Sequence, residues 1–580
     1  MKFKELAVFI EQIEQTASRL KITHLLADLY KKLTPDEIEK TCYLLQGRVV
    51  PLFEKLEFSL AEKTITKTVS LALNLERSLF EHQYKKIGDL GQAVEFFKKQ
   101  IQLFDEKDLT ILEVYESLLA LAKLGGTGSQ ERKINILAGL IRQLDALSTR
   151  YLVRIPIGVL RLGFSDMTVL DSFSWMIAGD KSLRSFIEQA YHVRPDLGFI
   201  GKTLKKQGIK GLNFVKPKVF TPILMMRAER LSSGKEIIEQ IGKCAIQQKF
   251  DGFRLQVHYL KKNHEVRLYS RNLEEVSLMY PDIIEGVKKE VKAKEIIFEG
   301  EAIGFDPQTG NFLPFQETVQ RKRKYDIAEK AKEIPLKLFA FELLYSNGIN
   351  YIRSPYHERR KILEKNIVTP ENKVKNTIVL APEKIIKKAK DIEIEFEDAI
   401  SKGLEGIIAK KLDGIYQAGA RGWNWIKFKR SYSSKIKDTL DCLVMGYDFG
   451  KGKRTDFGIG AFLVGIFDEK NDSFVTIAKI GTGLSDEEWK KLKVQSSKFK
   501  VQKKPSQYSV DKQMNVDVWI QPSIVVEIRA DEISRSPVHT AHLALRFPRL
   551  ERFRDDKRPD DITSLKELEN MFKDQGKKSH

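Results

Sequence analysis

The spacing of the apolar residues changes along this chain, and that change excludes a fold built on one core. From Met1 to about Lys210 they recur at helical spacing, as at Ile111, Val114, Leu118 and Leu121. Breaks such as Gly125-Gly126-Thr127-Gly128 and Arg194-Pro195-Asp196 separate the helices. The linker Phe214-Val215-Lys216-Pro217-Lys218 ends this part. From about Phe220 to Arg430, β-rich runs alternate with helices. Strands are expected at Arg254 to Tyr259 and Glu265 to Ser270, joined by a turn at Lys262-Asn263, and at Glu295 to Phe305 and Leu336 to Leu344. Helices are expected over Pro281 to Lys292 and His357 to Lys365. After Ser433 the texture is mostly β, with strands near Leu440 to Tyr447, Ile459 to Phe467 and Phe474 to Ile480. A helix opens at Ser485, where Ser485 and Glu488 have capping-box spacing. The pattern predicts an all-α domain over 1–215, an α+β domain over 216–432, and a small β-barrel of OB type over 433–580 that ends in a charged helical tail.

Composition narrows the partners. The 99 Lys+Arg against 79 Asp+Glu leave a net charge of +20, which suits a polyanion, either nucleic acid or an acidic membrane surface. Cys42, Cys244 and Cys442 are too scattered for a metal motif and too few for a disulfide framework, so a reducing, cytoplasmic compartment is expected. Met1 to Lys21 lacks the apolar core of a secretory signal, and no run approaches the ~18 apolar residues of a membrane span.

Chemistry concentrates in the middle part. In Lys249-Phe250-Asp251-Gly252-Phe253-Arg254 an amine could act as a nucleophile once it sheds its proton. Asp251-Gly252 reads as a turn that returns Arg254 toward Lys249, where a second cation disfavours the charged amine. Taken alone, the string is weak evidence and reads more readily as a surface hairpin. Glu299 and Glu301 share one face of a strand, which suits a sugar or a metal ion between them, or simply a solvated face. Lys427 and Lys429 share a face while Ile426 and Phe428 point to a core; this is a phosphate clamp or plain alternation. Glu405 stands at the mouth of the apolar strand Gly406 to Lys411 as a candidate metal carboxylate. Phe341 suits a core, or stacking on a purine.

In their order along the chain, these segments resemble the motifs of the ATP-dependent DNA ligases of the archaeal and eukaryotic replicative type, within the covalent nucleotidyltransferase superfamily. The resemblance implies that Lys249 is the adenylated nucleophile. It implies that Gln247, Arg254, Arg271 (in Ser270-Arg271-Asn272), Glu301, Phe341, Arg421, Lys427 and Lys429 bind the nucleotide, and that Glu301 and Glu405 hold metal. Arg554 and Lys557, in Arg554-Asp555-Asp556-Lys557, would meet the ATP pyrophosphate. The expected cofactors are ATP and Mg²⁺, with Mn²⁺ as the alternative ion.

Tyr151-Leu152-Val153-Arg154 and Leu160-Arg161-Leu162-Gly163 resemble the family's helical DNA-binding domain. Gly481 to Asp486 and Ser536 to Thr540 resemble its OB domain. Arg154, Arg161, Lys202, Lys205, Lys453 and Arg454 are the expected DNA contacts, although a solvated basic loop explains the last four as well. The implied partner is nicked duplex DNA, gripped between helical and OB jaws by a monomer acting in replication, recombination and repair. A sliding clamp is a further partner common to the type, but no clamp-binding peptide stands out. The family's usual glutamate two residues before the lysine is Gln247 here, which leaves nucleotide preference open, and its common aspartate is Glu342. RNA ligases and capping guanylyltransferases share the lysine chemistry; the long helical part argues against both. The set of Lys249, Glu301, Glu405, Lys427 and Lys429 argues against a non-catalytic DNA clamp.

Overall fold

The computed structural model describes every residue except 102–105, 159, 307–311, 314, 324–325, 368–375, 402–403, 430–438, 451–457, 482–483, 547 and 576–580. The chain forms two compact units, Met1–Phe428 and Lys429–His580.

The first unit begins with helices alone. Twelve α-helices among the described residues run from Phe3–Glu14 to Leu197–Gln207 and share one apolar core. The helix Ile111–Lys123 shows why they form. Thr110 caps its first turn by accepting from the Glu113 N–H (3.2 Å), and the Glu113 carboxylate accepts from the Thr110 N–H (2.7 Å). Ile111, Val114, Leu118 and Leu121 then fall on one side and are fully buried.

Two sheets follow in the same unit. The strands are β1 Arg227–Arg230, β2 Cys244–Lys249, β3 Phe253–Leu260, β4 Glu265–Ser270, β5 Glu295–Gly304, β6 Leu336–Ser346, β7 Ile349–Asn350, β8 Ile378–Leu380, β9 Glu383–Ile386, β10 Gly406–Lys411 and β11 Arg421–Lys429. One sheet has the order β1-β11-β10-β2-β9; the other has β4-β3-β5-β6-β7, with β8 beside β6. The helices Gly234–Ile241 and Ala389–Ser401 cover one face of the first sheet. There Ile246, Ile407, Ala409, Ile426 and Phe428 are buried, and Phe396 stacks on Phe428 at 3.9 Å. The helical and two-sheet parts are joined where the Leu224 N–H donates to the His192 carbonyl (2.9 Å).

The second unit is largely antiparallel β structure: β12 Leu440–Asp448, β13 Ala461–Asp468, β14 Ser473–Ile480, β15 Lys500–Val501, β16 Tyr508–Ser509, β17 Val518–Ile520, β18 Val525–Arg529, β19 Glu532–Arg535, β20 Leu543–Arg546 and β21 Arg549–Phe553. The main sheet has the order β15-β17-β12-β13-β14-β16, and β18 links β12 to β21. Cys442 and Val444 enter one core while Leu443 and Met445 enter another, so β12 is buried on both faces. The helix Asp486–Lys498 carries the Ser485/Glu488 capping box and buries Trp489 and Leu492.

Candidate active site

Lys249 is the last residue of β2, and β10 runs antiparallel to it with Gly406 opposite Lys249. That register sets Glu405 beside the lysine. The Glu405 N–H donates to the Lys249 carbonyl (3.2 Å), and its carboxylate forms an ion pair with the Lys249 ammonium. Past Lys249 the chain crosses from the first sheet to the second, so Asp251-Gly252 is a crossover and not a hairpin turn. A Cβ on Gly252 would lie 2.2 Å from the Ala302 carbonyl oxygen, which only a glycine avoids.

The second sheet faces this lysine with charge. Arg254 on β3 lies opposite Glu301 on β5, and Gln256 lies opposite Glu299. Glu299 is fully buried; it accepts from Arg254 (2.7 Å), Gln256 (3.2 Å) and the Tyr416 hydroxyl (3.0 Å). Arg254 also donates to the Met226 carbonyl (2.7 Å). Its nearest counter-ion is therefore Glu299, while the Lys249 ammonium pairs with Glu405. Gln256 bonds both the N–H and the C=O of Ile223 (2.7 and 3.0 Å). His258 accepts from the Phe220 N–H through Nδ1 (2.9 Å) and contacts Gln256 Oε1 through Nε2 (3.0 Å). Burial, helped by Arg267, pushes His258 down to about 3, so it is neutral and Nε2 carries the hydrogen. Glu301 is half-buried. Burial lifts its carboxyl to about 7 against the pull of the Lys249 and Arg254 charges.

The pocket face of the first sheet carries Gln247 and Lys249 from β2, Lys410 from β10 and Trp425 from β11. Strand alternation puts Lys427 on the Trp425 side. The Phe341 ring of β6 meets Trp425 edge-on at 6.0 Å. Lys410 is buried, donates to the Phe341 carbonyl (2.7 Å) and lies 4.6–5.0 Å from the rings of Trp425, Tyr356 and Phe341. Burial pushes its ammonium down to about 7. Beside it, Glu342 and Arg359 form a fully buried fork (2.8 and 3.0 Å). Burial alone would raise the Glu342 carboxyl, but the Arg359 charge and hydrogen bonds hold it below its usual range. Lys410, Tyr356 and Glu383 were not among the residues expected from sequence. The available signal for Lys410 was a lysine on the pocket side of the apolar strand Gly406–Lys411.

The other expected residues are dispersed. Arg271 is exposed and lines a cleft of about 440 Å³ with Arg48, Asp166, Tyr191 and Asp196 of the helical part. Arg421 is exposed at the start of β11, opposite Arg227; Lys427 and Lys429 are half-buried further along it. In the second unit, Arg554 (2.9 Å) and Lys557 (2.6 Å) both donate to Asp441. Arg154 requires a correction. It is 1% exposed and donates to Glu14 (3.0 Å) and Asp89 (2.7 Å), so its guanidinium is held inside the helical core and not at the surface. Arg161 is exposed and ion-paired with Asp89 (3.2 Å), Lys202 pairs with Asp36 and Glu39 (both 2.8 Å), and Lys205 donates to the Lys31 carbonyl (3.0 Å). Lys453 and Arg454 lie outside the described residues. Among the described residues no three His, Cys, Asp or Glu side chains cluster to hold a metal, and no helix is long and apolar enough to cross a membrane.

The fold is that of a nucleotidyltransferase domain between a helical N-terminal part and a β-rich C-terminal part. Three family models match in order: DNA ligase N terminus at residues 2–174, ATP dependent DNA ligase domain at 225–429, and ATP dependent DNA ligase C terminal region at 455–557. The "Probable DNA ligase" of Dictyoglomus thermophilum is 46% identical over 585 residues, covering 100% of this chain and 98% of its own. The "DNA ligase" of Saccharolobus solfataricus is 40% identical over 600 residues, again covering 100% and 98%. The solved structure called Pmar-Lig_PreS3 shares the fold at TM-score 0.53 and 16% identity, covering 94% of this chain and 99% of that one. The chain belongs to the ATP-dependent DNA ligase family.

Proposed function

We propose that this protein seals nicks in duplex DNA through a lysyl-AMP intermediate on Lys249. The observation that carries the reading is the Lys249–Glu405 pair at the paired ends of β2 and β10, on a face walled by aromatic and charged groups. The Nζ of Lys249 attacks the α-phosphorus of ATP, a P–N bond forms, and pyrophosphate leaves. Glu405 is positioned to take the ammonium proton, which leaves the amine its lone pair. The AMP then passes to the 5′-phosphate of the nick, and the 3′-hydroxyl displaces it to form the phosphodiester.

Phe341 would stack on the adenine, with Gln247 at its edge. Glu301 would hold the ribose hydroxyls or the metal. Arg254, Arg271, Arg421, Lys427 and Lys429 would face phosphate, and Arg554 with Lys557 the pyrophosphate. Two carboxylates near the lysine, without a third ligand, suit Mg²⁺, which keeps waters and relies on substrate phosphates. Glu405 and Glu301 would hold it, and its charge would offset that developing on the phosphates. The proposed division is a helical DNA-binding domain over 1–215, the adenylation domain over 216–432 and an OB-fold domain over 433–580. In the helical domain Arg161, Lys202 and Lys205 remain the candidate phosphate contacts.

A nicked duplex with ATP and Mg²⁺ tests this reading. Wild type should convert it to the sealed strand, and Lys249→Ala should give none. Equal sealing by Lys249→Ala would overturn the assignment.

A further inference from the structure

Gln247 and Glu383 are opposite each other on the antiparallel strands β2 and β9. The amide nitrogen of Gln247 donates to Tyr356 Oη (2.8 Å) and to Glu383 Oε2 (2.9 Å). The Tyr356 hydroxyl donates to that same oxygen. Gln247 and Tyr356 are buried, so both donors are fixed in place around one carboxylate. Glu383 is itself only half-buried, and its Oε1 has no hydrogen-bond partner among the described residues. A glutamate at 247 would set a second carboxylate against Glu383, which like-charge repulsion disfavours. A glutamine at 247 therefore goes with a glutamate at 383. The carboxylate of this Gln247–Glu383 pair therefore sits on β9, held by two donors, with one oxygen left to accept.

Position matters as much as charge. Gln247 shares the strand face of Lys249 and lies two residues from it, roughly 6.6 Å along β2. A nucleotide with its α-phosphorus at Lys249 and its base laid along β2 brings the base edge to Gln247 and Glu383.

We propose that Glu383 is a specificity-determining residue that accepts a hydrogen bond from the 6-amino group of adenine, held in place by Gln247 and Tyr356. This rests on the Lys249 reading above. Guanine presents a 6-oxo acceptor at that edge, which a carboxylate repels, so the arrangement selects ATP over GTP.

The test is transfer of labelled AMP or GMP to the full-length protein across a range of ATP or GTP concentrations with Mg²⁺. Wild type is compared with Glu383→Gln and with the double variant Gln247→Glu/Glu383→Gln. Glu383→Gln should need about tenfold more ATP for half-maximal labelling, the size of a hydrogen bond to a charged group, while its maximal rate is kept. Its preference for ATP over GTP should narrow. The double variant again faces one carboxylate with one amide and should recover most of the preference. If Glu383→Gln does not fold, Glu383→Asp withdraws the carboxylate by one methylene and should raise the ATP requirement in the same direction. A labelled wild type with an indifferent position 383 would overturn this proposal alone. A wild type that takes label from no nucleotide would overturn the Lys249 reading, and this proposal with it.

Discussion

Two ion-paired arginines, Arg154 buried in the helical part and Arg254 half-buried in the two-sheet part, are built from the same chemistry and do different things. Arg154 is closed off. Glu14 and Asp89 take the two terminal nitrogens of its guanidinium, Tyr151 also donates to Glu14 (2.8 Å), and Asp89 caps the helix Leu90–Gln100 by accepting from the Gln92 N–H (2.8 Å). The cluster fastens helices to one another. Around Arg254 the sealing is one-sided. Its carboxylate partner Glu299 is fully buried, but the guanidinium side chain keeps 18% exposure and lies 5.3–5.5 Å from the rings of Trp425 and Phe341. Of these two ion pairs, the one at the site is the one whose arginine keeps some exposure and lies near aromatic rings.

The strongest way to break this contrast is Arg254→Met. It leaves Glu299 buried without its cation, which should cost about 3–5 kcal/mol in a denaturant titration. AMP transfer by the protein that still folds should fall by about a hundredfold, as when preorganised charge is removed from a phosphoryl-transfer site. Retention of full transfer would make Arg254 purely structural. Arg154→Met should cost somewhat less, about 3 kcal/mol, because Glu14 keeps enough solvent contact to relax. Well below its melting temperature, this variant should transfer AMP and bind nicked duplex like wild type; weakened binding would restore Arg154 to the DNA surface.

Lys410 sharpens the contrast through pH. Its folded-state ammonium is pushed down to about 7 by burial, against about 10.4 in an unfolded chain. Below pH 7 both states carry the proton, and the buried charge destabilises the fold in full. From pH 7 to 10 the unfolded chain binds more protons than the folded one, so wild-type stability rises. Lys410→Met should therefore narrow its melting-temperature difference from wild type by a few degrees over that range; a constant difference would contradict the shift. The smallest effect belongs to Thr110→Ala. Loss of the capping box should cost about 1 kcal/mol and leave AMP transfer unchanged.

Local pattern carried much of the fold. Alternation and the Lys262-Asn263 turn predict β3 and β4, observed at Phe253–Leu260 and Glu265–Ser270. Capping spacing predicts the helix after Ser485. Strand β2 was not foreseen, because Gln247, Gln248 and Lys249 interrupt its apolar run, two of them where the strand faces a pocket instead of a core. The helix Ala389–Ser401 was also missed. Its Ile392-Glu393-Ile394-Glu395-Phe396 alternates like a strand, yet among its described side chains only Ile392, Phe396 and Ala399 are buried, and Ile394 is 55% exposed. Arg154 was misread because its partners stand 140 and 65 residues away. The Lys249–Glu405 pairing spans 156 residues. The motifs suggested which residues belong to the site, and the contacts that separate a clamp from a staple are non-local.

The most direct measurement is a peptide map of the protein after incubation with ATP and Mg²⁺, with the acid-labile P–N bond kept intact. The mass of one AMP should appear on the peptide that contains Lys249 and should vanish from it when nicked duplex is added. AMP on any other lysine, Lys410 included, would contradict the account, as would an adduct that nicked duplex does not discharge.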